Sequence, residues 1–140
     1  MPLEKYTSLC EKNARTIISR DKGNQQKHIG QNINRSAVSH YQIDGVVLKE
    51  GAKCDFLLMN DEKQTAYLIE LKGSDLCWAA QQLEATEKAL SRQLSGYTLR
   101  YRIIANRCKT QEIRTAAFLR YKKKWGKSLQ TGSRQLEEEI

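Results

Sequence analysis

Two short apolar segments separated by a polar break constrain this chain more than any other feature. Residues 53–59 and 65–73 have the composition of two strands joined by a turn. Successive side chains of a strand face opposite sides, so Glu70 and Lys72 share one face. Pairing through the turn can bring Asp55 beside Glu70. Two carboxylates and an ammonium in so apolar a hairpin are costly unless they are paired or bind a cation, which points to chemistry at this place.

Length and composition predict a single domain, residues 1–140, in a soluble protein. The 140 residues are 39% hydrophobic and 29% charged, which is enough apolar chain to bury a core. No apolar run approaches the ~20 residues of a membrane helix. The amino terminus lacks an apolar signal core, so we expect a cytoplasmic protein without a membrane partner. Four widely spaced cysteines favour reduced thiols over a zinc site or a disulfide framework.

The positive charge is concentrated in one third of the chain. Residues 98–127 hold ten Lys or Arg and a single acid, in a chain whose net charge is +8. Such a segment predicts a surface that binds a polyanion, with a solvated helix face as the alternative. Trp125 could stack on an unpaired base or pack the helix end onto the core. The predicted nucleic-acid contacts are Arg100, Arg102, Arg120, Lys122, Lys123, Lys124, Lys127 and Trp125.

The apolar spacing predicts an α/β protein with the element order α-β-β-β-α-β-α. One mixed sheet flanked by helices is the architecture that this order favours. Ser74 and Asp75 are candidate N-caps for the second helix. The predicted elements are a helix over 3–20, a polar loop over 21–36, a strand over 37–49, the two central strands, a helix over 76–95, a strand over 97–105 and a helix over 110–124. After these, residues 128–140 could add an edge strand, and we expect the acidic end, 137–140, to be frayed.

The central hairpin resembles the signature of the PD-(D/E)xK nuclease superfamily. Asp55, a gap of 14 residues and then Glu70-Leu71-Lys72 match that signature, and the Ala79-Ala80-Gln81-Gln82-Leu83 stretch is similar to a pattern common there. The order of elements over residues 3–124 is similar too, which implies a restriction-endonuclease-like core. Cys54 departs from the family, which often has Pro at that position.

The resemblance implies a Mg²⁺- or Mn²⁺-dependent deoxyribonuclease. Asp55, Glu70 and the backbone carbonyl of Leu71 would bind the metal ion, and Lys72 would position the attacking water or stabilise the transition state. The alternative is an exposed edge strand carrying Glu70 and Lys72, with Asp55 in a turn. Segments that are apolar on both faces, as these are, instead indicate central strands.

Family members often carry a further acid on the first helix. Glu11 is the candidate here and Glu4 the second choice, while Asp44 or Glu50 could substitute from the first strand and the turn after it. Glu11 could equally be a solvated helix residue.

The short chain looks most like the Holliday-junction-resolvase branch or a small phage or mobile-element endonuclease. That likeness implies branched or structured DNA as substrate and, by analogy, a homodimer, because a junction offers two symmetric cuts. Charge alone does not exclude RNA. The rival interpretation is a catalytically inactive module of the same fold that binds nucleic acid or a protein.

Overall fold

Two β-sheets and three α-helices make up the part of the chain that the structure describes. The computed structural model describes residues 2–23, 25–72, 75–107 and 110–140, without the side chains of residues 2, 4, 72 and 110. In chain order the elements are a 3-10 helix at Pro2–Lys5, β1 (Thr16–Arg20), β2 (Lys27–Gln31), β3 (Val38–Gln42), β4 (Phe56–Asn60), β5 (Thr65–Lys72), α1 (Leu76–Ala89), β6 (Thr98–Ala105), α2 (Thr110–Ile113), α3 (Ala116–Trp125), a 3-10 helix at Gly126–Ser128, β7 (Leu129–Ser133) and β8 (Gln135–Glu139).

The larger sheet has five strands in the order β3-β4-β5-β6-β7. Strands β3, β4 and β5 form an antiparallel meander, and β6 and β7 run parallel to β5. This confirms an α/β protein with a mixed sheet, and it confirms the predicted central hairpin. Both faces of β4 and β5 are buried: Leu57 and Leu68 pack with the helices, whereas Phe56, Leu58 and Ile69 pack toward β1 and the last residue of the chain. The alternative of an exposed edge strand is therefore wrong.

The smaller sheet, β1-β2-β8, replaces the predicted first helix and interrupts the predicted loop. In β1 the residues alternate between exposed and buried, with Ile17 and Ser19 buried and Ile18 exposed. That period of two, carried by β-branched residues, favours a strand once a second sheet is present to cover it. The predicted helix over 3–20 is wrong, because its apolar residues belong to several short segments, among them a 3-10 helix and β1. The predicted loop over 21–36 is wrong in part, because β2 lies within it.

The acidic end of the chain is ordered, so the predicted frayed tail is wrong. Strand β8 pairs in parallel with β2, and the side chain of Ile140 is buried. The N–H of Ile140 donates to the carbonyl of Gln31 at 3.0 Å, and Glu138 accepts hydrogen bonds from two buried side chains described below. Composition alone could not reveal that one of these acids has a partner on a distant strand.

The helices follow the predicted positions with different ends. Asp75 caps α1 by accepting the N–H of Trp78 at 2.9 Å, as predicted, but α1 ends at Ala89 rather than near 95. The last predicted helix is divided in two, because the side chain of Thr115 caps a separate α3. None of the helices in the described ranges is long and apolar enough to cross a bilayer.

Candidate active site

Asp55 and Glu70 lie next to each other at one end of the larger sheet, where β4 begins and β5 ends. The N–H of Asp55 donates to the carbonyl of Ile69 at 3.1 Å, and Phe56 pairs with Ile69. The carboxyl group of Glu70, the next residue along β5, is hydrogen-bonded to that of Asp55. The two residues are only 9% and 2% exposed. The hairpin therefore brings two carboxylates together where little water reaches them.

The carboxylate of Asp55 is held in place by its neighbours on β5. Its Oδ2 accepts the backbone N–H of Leu71 at 2.8 Å. Burial raises the pKa of Asp55 to about 6, and the charges of Asp21 and Asp44 add to that effect, whereas hydrogen bonds from Leu71 and Glu70 oppose it. A carboxylate in this environment is stabilised by protonation or by binding a cation.

Asp21 is the acid that sequence reasoning missed. It follows the last residue of β1 and is half-buried, and its carboxyl group is hydrogen-bonded to that of Asp55. Burial and the charge of Asp44 raise the pKa of Asp21, against the lowering effect of that hydrogen bond. The sequence gives no clear signal for this position, because the strand before it has an exposed Ile18 and a buried Ser19.

The four candidates for the further acid, Glu11, Glu4, Asp44 and Glu50, have different outcomes. Glu11, predicted on the first helix, is exposed in a turn, because the helix that was to carry it does not form. The side chain of Glu4 lies outside the described residues. Glu50 is exposed. Asp44 is also exposed, with its Oδ1 3.7 Å from Nζ of Lys53, and acts on Asp55 through its charge.

The described residues between β1 and β2 lie at the same end of the larger sheet as the carboxylates. Asp21, at its start, contacts Asp55, and the buried side chain of Gln26, near its end, donates a hydrogen bond to Oδ1 of Asn106 just after β6. Residues predicted to form a polar loop thus connect the two sheets beside the carboxylates.

Lys72 and Leu71 complete the motif at the end of β5. The backbone of Lys72 pairs with Ala105 of β6, but its side chain lies outside the described residues. Its role near the carboxylates stays a prediction from strand alternation. The contact described for Leu71 is the N–H that it donates to Asp55, and the predicted use of its carbonyl is also untested.

Two of the predicted nucleic-acid contacts are buried, so these two assignments are wrong. Arg102 is 3% exposed and binds Glu138 through Nε at 2.6 Å and through a second guanidinium nitrogen at 2.9 Å. Trp125 is buried and stacks on Tyr101 with ring centroids 4.0 Å apart, which is the packing role that the sequence left open. Both side chains contribute to the interior because partners distant in sequence cover them.

The remaining six predicted contacts are exposed or half-exposed. Arg100 is half-exposed on β6, and the other five are exposed on α3 or just after it: Arg120, Lys122, Lys123, Lys124 and Lys127. Lys124 pairs with Glu84 of α1 at 2.7 Å. Tyr101, the neighbour of Arg100, stacks on Trp125 of α3, so Arg100 faces the opposite side of the larger sheet from α3. Arg100 and the basic residues of α3 therefore do not form one continuous surface.

The chemistry of the acid cluster fits a hard divalent cation. Carboxylate oxygens are the ligands that Mg²⁺ prefers, and Mg²⁺ typically keeps several waters. Among the described residues, no group of three or more His, Cys, Asp or Glu side chains is arranged so that it could hold a metal ion. Asp55 and Glu70 would supply two carboxylate ligands to a cation.

Comparison of the chain with protein-family models, curated proteins and solved structures gives no match.

Proposed function

We propose that this protein is a metal-dependent endonuclease that hydrolyses phosphodiester bonds in DNA. One observation carries the proposal: two buried carboxylates, Asp55 and Glu70, lie next to each other at one end of a mixed sheet, and a third acid, Asp21, contacts the first. In the PD-(D/E)xK signature that this hairpin resembles, the positions of Asp55 and Glu70 are those of metal ligands.

The surroundings of Asp55 support a cation rather than a purely structural role. A structural acid with little exposure is expected to be paired with a basic side chain, as the partly buried Glu138 is with Arg102. Among the described side chains, the charges that act on Asp55 belong to Asp21 and Asp44, which are themselves acids. Like charges gathered in a desolvated place are costly, and a divalent ion would offset that cost.

Each residue then has a defined task. When bound, Mg²⁺ or Mn²⁺ lowers the pKa of a coordinated water and neutralises charge on the phosphate. Asp55 and Glu70 bind the ion, and the N–H of Leu71 orients the Asp55 carboxylate. Lys72, by its place in the motif, positions the attacking water or stabilises the transition state.

The topology supports a nuclease-like core without a first helix. The succession β3, β4, β5, α1 and β6 matches the order that the resemblance implies, with Asp55 before the second of these strands and Lys72 ending the third. Branched DNA as the substrate and a homodimer as the active form rest on the resemblance alone.

The test is cleavage of plasmid, single-stranded and branched DNA, and of RNA, with and without Mg²⁺ or Mn²⁺. Metal-dependent cleavage should be lost in Asp55→Asn, Glu70→Gln and Lys72→Ala. Glu11→Gln, which removes an exposed carboxylate, is the matched control and should keep full activity. Absence of cleavage on every DNA substrate at saturating metal would refute the proposal, and cleavage of RNA alone would reassign the substrate.

A nucleic-acid-binding module without catalysis is the second candidate. It is favoured by the exposed lysines of α3, which give that helix a basic surface. In that case Lys122→Ala combined with Lys123→Ala and Lys127→Ala should weaken DNA binding and flatten its dependence on salt. Glu70→Gln would change nothing, and no metal-dependent cleavage would be seen.

A further inference from the structure

Backbone groups of the two residues before Asp55 are hydrogen-bonded to side chains of α1. The N–H of Cys54 donates to Oγ1 of Thr86 at 2.8 Å. The carbonyl of Lys53 accepts Nε2 of Gln82 at 3.1 Å. These are backbone groups of a segment that precedes β4, and both their partners are side chains from consecutive turns of one helix.

The hydroxyl of Thr86 acts as both acceptor and donor in this contact. It is completely buried, and while its Oγ1 accepts the N–H of Cys54 it donates to the carbonyl of Gln82 at 3.0 Å. Threonine is a poor residue for a helix interior, because its branched side chain loses freedom and its hydroxyl competes for backbone groups. Leucine and alanine have a higher helix propensity, so the contribution of threonine here is the hydrogen bond from its hydroxyl to residues beside the helix.

The carboxylate of Asp55 is the next group along the chain. Its backbone is bonded on both sides, with its N–H on the carbonyl of Ile69 and its carbonyl accepting the N–H of Ile43 at 2.8 Å. The Oδ2 bond to Leu71 then depends on where residues 54 and 55 lie relative to β5. Loss of the Thr86 contact would leave a buried N–H at Cys54 unsatisfied and allow this segment to shift.

We propose that Thr86, assisted by Gln82, is a positioning residue that sets the Asp55 carboxylate against Leu71 and Glu70. The role rests on the proposed function, because it matters for activity only if Asp55 binds the catalytic cation. Neither Thr86 nor Gln82 touches the carboxylates. They act through the backbone of Lys53 and Cys54.

The kinetic test compares Thr86→Val with Thr86→Ser. Valine has nearly the same shape but lacks the acceptor, whereas serine keeps it. We expect Thr86→Val to lower kcat by about tenfold to a hundredfold, the loss that a small misplacement of a reacting group causes. It should also raise the metal concentration needed for half-maximal rate and leave the KM for DNA unchanged, and Thr86→Ser should recover most of the rate.

Leu90→Val is the matched control for lost stability. Leu90 is buried at the far end of α1 and makes no hydrogen bond to residues 53–55 through its side chain. If it lowers the melting temperature as much as Thr86→Val but keeps the wild-type rate, the rate loss is due to position. Should Thr86→Val fail to fold, Gln82→Met removes the Lys53 contact alone and is expected to give a smaller loss of the same kind.

Amide hydrogen exchange in the metal-free protein gives a readout that does not need activity. Positioning predicts faster exchange in Thr86→Val at both Cys54 and Leu71, since the Asp55 carboxylate protects the second amide. Faster exchange at Cys54 alone, with a normal rate and metal requirement, would overturn the proposal while leaving the nuclease function standing. A wild-type protein that neither binds the cation nor cleaves any substrate would overturn both.

Discussion

Two acids of this protein, the partly buried Glu138 and the buried Asp55, lie in opposite electrostatic environments. Glu138 is bound by Arg102 at 2.6 Å and by Nε2 of His28 at 2.7 Å. Burial by itself would raise the pKa of Glu138, but hydrogen bonds from His28 and Arg102 hold it at about 2. Burial raises the pKa of Asp55 to about 6, and among the described side chains the charges that raise it further belong to the acids Asp21 and Asp44. The first acid has basic partners within the fold, whereas the described charges that act on the second are negative.

The largest effect should come from breaking the compensated acid. Arg102→Met would leave the partly buried Glu138 with His28 as its remaining partner, and we expect a loss of about 3 kcal/mol in the free energy of unfolding, at the lower end of the cost of breaking a buried pair. Urea denaturation measures it. Adding Glu138→Gln to the same chain should recover part of the loss, because it removes the uncompensated charge. If Arg102→Met cost no more than a surface substitution, Arg102 would not be an interior residue.

The uncompensated acid should show the reverse sign. Asp55→Asn removes a charge that burial disfavours, so at pH 7.5 and without metal we expect it to raise the free energy of unfolding by on the order of 1–3 kcal/mol. Glu11→Gln, at an exposed acid, should change it little. Wild type should gain melting temperature with Mn²⁺, and Asp55→Asn should not. A destabilised Asp55→Asn would mean that the charge already has a partner.

The pH dependence sharpens the same comparison. The pKa of Glu138 is lowered, so its contribution to stability is present above its ordinary value of 4.5 and is lost as the pH falls toward about 2. The pKa of Asp55 is raised, so its contribution is present below 3.8 and is lost as the pH rises through about 6. The stability difference between Asp55→Asn and wild type should therefore grow between pH 4 and pH 7 in denaturation series. A difference that is constant over that range would contradict the environment described for Asp55.

The smallest change in stability should come from breaking the solvent-exposed ion pair of Glu84 and Lys124. Glu84 pairs with Lys124 at 2.7 Å, but these side chains are 28% and 54% exposed. We expect Lys124→Met to change the free energy of unfolding by less than about 0.5 kcal/mol, since solvent screens such a pair. Denaturation at low and high salt should show only a slight difference. An effect as large as that of Arg102→Met would mean that exposure does not separate the two pairs.

The sequence predicted the elements whose signals are local. The hairpin of β4 and β5, the N-cap at Asp75 and the strand β6 each depend on a few consecutive residues, and each was confirmed. The region before β3 was predicted wrongly, because strands of five residues carry too little pattern to overcome a chance helical spacing.

The candidate site divides in the same way. The pairing of Asp55 with Glu70 follows from strand alternation and a short turn, so it could be inferred from residues 55–70. Asp21 reaches Asp55 only because β1 belongs to a second sheet. No pattern near Asp21 announces that sheet, whose strand β2 pairs with β8 near the other end of the chain.

By itself the amino-acid sequence determined two apolar strands with acids at positions where burial is costly, and a helix directly after them. Only the tertiary structure decided which charges meet. Glu138 and His28 are 110 residues apart in the chain and 2.7 Å apart in space. Secondary structure follows from periodicity within a segment, whereas the partner of a buried charge is set by which distant segments pack against it.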